Sequence, residues 1–125
     1  MKVIVCGGRD FDDVALLRDS MESLLLPKKS LVITGGCRGA DKLAAEWARD
    51  RGYHEVVVPA NWERYGNFAG PVRNAAMLKL EPDLVVAFPG GKGTANMVKQ
   101  ARAAGVKTLG PMTMGEANDI MKYRV

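Results

Sequence analysis

Three glycine pairs in this 125-residue chain stand at the ends of apolar runs: Gly7-Gly8 after Val3-Ile4-Val5, Gly35-Gly36 after Leu31-Val32-Ile33, and Gly90-Gly91 after Leu84 to Phe88. Arg9, Arg38 and Lys92 accompany them, and Gly39, Gly93 and Thr94 lie within a few residues. Glycine lets a backbone turn sharply out of a strand, with φ above zero where needed, and its missing side chain lets a ligand oxygen reach the peptide N–H groups. A helix starting after such a turn adds unpaired N–H groups and the positive end of its dipole. The pattern predicts three anion cradles at one sheet edge, with phosphate as the natural occupant. Arg9, Arg38 and Arg73 are forked donors suited to phosphate oxygens or a carboxylate, and Thr94 can add a hydroxyl. Taken singly, each arginine reads equally well as solvated surface charge.

Two acids accompany the turns. Asp10 and Asp41 are each placed to fix a ribose hydroxyl, to act as a base, or to cap a helix. Trp62 and Tyr65 sit in a stretch of no clean period, where a flat ring either stacks on a base or packs the segment onto the domain. Trp47, at helical spacing, reads as core or interface. Neither Gly7-Gly8-Arg9-Asp10 nor Gly35-Gly36-Cys37-Arg38-Gly39 is a GxGxxG fingerprint, and the chain has no GxxxxGK[ST] loop. An ordinary NAD dehydrogenase or ATPase is therefore disfavoured.

Short apolar runs alternate with segments of helical period, the pattern of an α/β protein with a parallel sheet and crossover helices. Strands are predicted at 2–6, 31–34, 55–58, 84–88 and 106–109. Val14, Leu17, Met21, Leu24 and Leu25 share a helical face, with Asp12 as the expected N-cap and Phe11 stapling against Leu16. A second helix is predicted over 40–51, stopped by Gly52. Residues 59–71 hold two glycines and two prolines and predict a long loop, a lid or wall of the site. Pro71 is expected in the first turn of a helix reaching about Leu80, and a further helix is expected from Thr94 to Ala104. Thr113 and Glu116 form a capping-box pattern for a last helix. In such sheets the ligand crevice lies beyond the carboxyl ends of the strands.

Length and composition bound these readings. The chain predicts one domain, 1–125, able to bury about two thirds of its unfolded surface. With 47% hydrophobic and 26% charged residues it has the balance of a cytoplasmic globular protein, and no apolar run approaches the roughly 18 residues of a membrane span. Cys6, Cys37 and His54 offer no zinc-ligand spacing, so no metal or other cofactor is expected; the cysteines read as small buried or loop thiols. The net charge of +4 suits an anionic ligand, but the basic residues are spread along the chain and do not point to nucleic acid.

Four runs, Val5-Cys6-Gly7-Gly8-Arg9-Asp10-Phe11, Thr34 to Asp41, Gly70-Pro71-Val72-Arg73-Asn74 and Phe88 to Met97, resemble in order and spacing the YspA-like branch of the SLOG superfamily, which groups Smf/DprA proteins with LOG phosphoribohydrolases. The resemblance implies a Rossmann-like three-layer fold, about five parallel strands with helices on both faces. It also implies a nucleotide-derived small molecule as ligand, Arg73 and Asn74 within the site, and pairing of two copies through helices beside the sheet. LOG enzymes cleave the N-glycosidic bond of nucleoside monophosphates and carry PGGxGT followed by a glutamate pair. Here Pro89-Gly90-Gly91-Lys92-Gly93-Thr94 matches, but Asn96 and Met97 stand at the glutamate positions. Such cleavage usually leans on carboxylates, so binding is expected to survive the change better than catalysis, with Asn96 still able to hydrogen-bond a ribose hydroxyl. The leading expectation is a ligand-sensing domain. The alternative is a phosphoribohydrolase in which Asp10, Asp41 or Glu63 supplies the acid, and a weaker one is a single-stranded DNA accessory protein using Trp62 or Tyr65 as stacking platforms.

Overall fold

The computed structural model describes residues 1–113; the helix expected after Thr113 lies outside them. Five parallel strands, β1 (Lys2–Cys6), β2 (Leu31–Thr34), β3 (His54–Val57), β4 (Leu84–Ala87) and β5 (Thr108–Leu109), form one sheet in the order β3-β2-β1-β4-β5. The helices are α1 (Val14–Ser23), α2 (Ala40–Asp50), α3 (Trp62–Tyr65), α4 (Ala69–Leu78) and α5 (Lys92–Ala103).

Val3 to Cys6 of β1, Leu31 to Ile33 of β2 and all of β4 are apolar because both faces of the sheet are covered. Val3 and Val5 of β1, with Val86 of β4, pack beneath α1 and α2 against Leu17, Met21, Ala44 and Trp47. Ile4 and Cys6, with Val85 and Ala87, face the other way onto Met77 of α4 and Met97 and Ala101 of α5. The alternation of side chains along a strand thus splits one apolar run between two cores. Trp47 belongs to the first core, stacked on Tyr53 at 5.4 Å between ring centroids.

Several expected boundaries move, each for a local reason. Asp13, not Asp12, caps α1 by accepting the Leu16 N–H at 3.0 Å, and Phe11 sets its ring against Phe88, 5.2 Å between centroids. Strand β3 runs one residue earlier than expected, pairing His54 with Leu31. Strand β5 is only two residues long because Val106 is still engaged in ending α5: its N–H returns to Ala101, across a Gly105 with φ of +75°.

The segment 59–71 is not a loop. Asn61 caps the single turn of α3 by accepting the Arg64 N–H, a 3-10 turn follows over Gly66–Phe68, and α4 begins at Ala69. Pro71 is the third residue of α4, where its missing N–H would have had no intrahelical partner. Helix α5 likewise starts two residues before Thr94, at Lys92.

Candidate functional site

Strand order reverses between β1 and β4: the chain proceeds outward from β1 to β2 and β3, then returns to β4 on the other side. The connections leaving the carboxyl ends of β1 and β4 pass to opposite faces of the sheet, and a crevice opens between them. It is a cleft of about 710 Å³. It is lined by the first and third glycine turns, by Gly35, Cys37 and Asp41 of the second, and by Cys6, Met77 and Trp62.

The three glycine turns do different work here. At the first, glycine permits close packing: a Cβ on Gly7 would sit 3.0 Å from Phe88 Cβ, and one on Gly8 would sit 3.0 Å from Pro89 O. The Gly8 N–H donates to that same carbonyl at 2.9 Å, and the Gly8 carbonyl accepts the Ala40 N–H at the start of α2. Neither residue has a positive φ. The turn thus ties β1 to β4 and α2 through Gly8, while Gly7, Gly8 and Arg9 line the cleft.

At the second turn the positive φ expected of a glycine occurs at Gly36 (+73°) and at Gly39 (+78°). Its anion-holding geometry is already used by the chain itself. Asp41, in the first turn of α2 and only 7% exposed, accepts the Cys37 N–H on Oδ2 at 3.1 Å. Burial pushes the Asp41 carboxyl above the usual range, while the N–H groups of Cys37 and Gly35 and the charges of Arg73 and Arg9 pull it back. Gly35 has no side chain for a reason visible in the packing. A Cβ there would overlap Nη1 of Arg73 and come within 2.5 Å of its Cζ.

Arg73 comes from α4. Its Nη1 donates to the Gly35 carbonyl at 3.1 Å and its Nε to Asn74 Oδ1 at 3.0 Å, so the guanidinium is anchored on one edge and borders the cleft. Asn74 in turn donates to the Gly93 carbonyl and to Asn96 Oδ1, linking Arg73 to the start of α5. This relay through α4 is the part of the site that residue spacing alone could not foretell.

The third turn is open. Helix α5 has Gly91 at its N-cap and no side chain capping it, and Gly91, Lys92 and Gly93 are exposed. Gly91 has a φ of −100°, so it is not held in the left-handed region, and a Cβ added there would meet no atom within 4 Å. Gly90 is the tight position: its Cβ would overlap Thr94 Oγ1 and lie 2.6 Å from Gly8 N. The uncapped first turn of a twelve-residue helix presents N–H donors and the positive end of its dipole to a cleft that Arg9 and Arg73 line together with Asp10, Asp12 and Asp41.

Other expected residues fall elsewhere. Asn96 does not line the cleft; its Oδ1 accepts from Asn74 and from Gln100, holding α4 against α5. Met97, at the second glutamate position, is fully buried in the apolar core beneath α4 and α5. Gly36 and Arg38 border a smaller cleft of about 380 Å³ beside β3, and Gly39 packs against the Gly8 carbonyl. Arg38 pairs at 3.3 Å with Asp10, which does line the main cleft, and both side chains are mostly exposed. Glu63 and Tyr65 lie outside the main cleft, Tyr65 beneath the Arg64 guanidinium, whereas Trp62 lines it and is overlain by Arg9 at 5.7 Å from the ring centroid. Cys6 and Cys37 are free thiols; burial and the Asp41 charge push Cys6 up to about 12, so it stays protonated. No group of three or more metal-ligating side chains occurs among the described residues, and none of their helices is long and apolar enough to cross a membrane.

The sheet order and the crevice at its reversal define a Rossmann-like α/β protein. Residues 1–65 match the family of YspA, cpYpsA-related SLOG proteins. Over 119 residues the chain is 34% identical to the Gene 61 protein of Mycobacterium phage D29, covering 86% of this chain and 94% of that protein. The chain belongs to this SLOG family. Among solved structures it is similar to the X-ray structure of TM1055, with a TM-score of 0.66 and 28% identity over 86% of this chain and 71% of that one. It also shares its fold with the DNA processing protein A (DprA) of Streptococcus pneumoniae, with a TM-score of 0.72 at 15% identity, covering 98% of this chain and 54% of that one.

Proposed function

We propose that the protein binds a nucleotide or nucleotide-derived phosphorylated ligand at the β1/β4 crevice, with the phosphate on the first turn of α5 and Arg73 beside it. The observation that carries this reading is the open third turn. Its N–H groups have no side-chain cap, the cleft before it is large enough for a nucleoside monophosphate, and two arginines border the same space. Trp62, half exposed on the cleft wall, offers a flat face for a base. Binding without glycosidic cleavage is favoured because Met97 is buried in core and Asn96 is committed to holding α4 and α5 together, which leaves no carboxylate at either position.

Gly91→Val tests the phosphate site. Because the position has space for a side chain and an ordinary φ, the variant should keep its circular dichroism spectrum while its isopropyl group covers the helix terminus. Calorimetric titration with AMP should show binding to the wild type and none to the variant, and chromatography should show AMP intact after incubation with the wild type. A folded variant that binds AMP undiminished would remove the α5 turn from the site, and adenine release by the wild type would make the protein a hydrolase.

A further inference from the structure

Asp41 is the buried carboxylate of a cleft that Arg9, Arg73, Lys92, Asp10 and Asp12 also line, and phosphate binding makes no use of it. Its Oδ2 accepts the Cys37 N–H, and the Gly35 N–H also acts on the carboxylate. The side chain is 7% exposed, yet it lines the cleft, across from the anchored guanidinium of Arg73. Two consequences follow from charge alone. A second phosphate cannot settle into the β2 turn, because the N–H groups that would hold it already face a carboxylate and like charges repel at short range. A hydroxyl or amino group entering there, by contrast, meets a carboxylate able to accept a hydrogen bond.

We propose that Asp41 is a specificity-determining residue that accepts a hydrogen bond from a hydroxyl group of the ligand, so that the cleft selects molecules with one anionic end at α5 and a hydroxyl-bearing sugar at the β2 turn. The proposal rests on the phosphate reading above and adds the sugar to it. The carboxylate is the acceptor, and the Cys37 N–H orients it. Substitution by asparagine keeps the shape and leaves one oxygen for Cys37, but it sacrifices the charge and the second acceptor.

The test compares AMP with 2′,3′-dideoxy-AMP, which has the same base and phosphate and no ring hydroxyls, by calorimetric titration against the wild type and Asp41→Asn. The wild type should bind AMP about ten-fold or more tightly than the dideoxy compound, the loss expected for a hydrogen bond to a charged group. Asp41→Asn should abolish that ratio chiefly by weakening AMP. Equal affinity of the wild type for the two compounds would overturn the proposal and leave the phosphate site standing; this comparison needs no variant to fold. A folded Asp41→Asn that keeps the wild-type ratio would also overturn it, since the hydroxyls would then be read elsewhere. Failure of both compounds to bind the wild type would refute the phosphate reading, and the proposal would fall with it.

Discussion

Gly35→Ala should behave as a mutation of Arg73. The added methyl would occupy the place of the guanidinium, overlapping Nη1 and lying 2.5 Å from Cζ, and the obstructing group is the end of a flexible side chain. Gly35 has no positive φ, so alanine is not strained by its backbone. The Arg73 side chain must swing away, surrendering its bonds to the Gly35 carbonyl and to Asn74 Oδ1. Those bonds are part-buried, and losing them should cost about 1 kcal/mol of stability, roughly 4 °C in melting temperature for a domain of this size. The functional cost is larger, because the guanidinium is removed from beside the phosphate. A charge-assisted bond is worth about 1.5–3 kcal/mol, so AMP should bind on the order of 10- to 150-fold more weakly while adenosine is unaffected. Titration of AMP and adenosine into Gly35→Ala, Arg73→Ala and the double variant reads the result directly. The double variant should lose no more than Arg73→Ala alone, since both remove one interaction. Wild-type AMP affinity in Gly35→Ala, or losses that add in the double variant, would refute the account of why this residue is glycine.

Two further outcomes are expected. Met97→Glu places a carboxylate in a core lined by Ile4, Ile33, Met77 and Val85, and should destabilise the fold by about 4 kcal/mol or more in denaturant titration, so installing a glutamate there should fail to create a hydrolase. Asp41→Asn should alter how stability depends on pH. The folded state raises the Asp41 carboxyl above its unfolded value of 3.8, so its contribution is fully present below that value and is lost as pH rises through the folded value. The groups facing it are the N–H groups of Cys37 and Gly35, the charges of Arg73 and Arg9, and the neutral Cys6 thiol. Melting temperatures taken from about pH 4 to about pH 7 should therefore shift in favour of the variant as pH climbs, and a constant difference would refute this assignment.

The strands and their two-sided burial were legible in the sequence, because runs such as Val3 to Cys6 and Leu84 to Ala87 are apolar at both parities and only a sheet covered on both faces makes that favourable. So was the presence of glycine where strands end, since a turn that packs backbone on backbone admits no Cβ whatever the tertiary arrangement. Short-range capping in 59–71 was less legible: Asn61 and the turns after it make helix from a stretch whose glycines and prolines read as breakers, and contact with α4 holds a single helical turn that would not persist alone. What each glycine turn is for was decided only by the assembled structure. Strand order puts β1 beside β4 and makes their carboxyl ends the crevice, a pairing that joins residues about 80 positions apart and leaves no local trace. That order lets Arg73 reach Gly35 from the next layer, brings Asn96 to Asn74 of α4, and sinks Met97 into the core. The three turns look alike along the chain because local sequence encodes only the conformations a backbone can adopt. Tertiary packing supplies the neighbours, packing the first turn against β4, setting Asp41 into the second, and leaving the third without a side-chain cap.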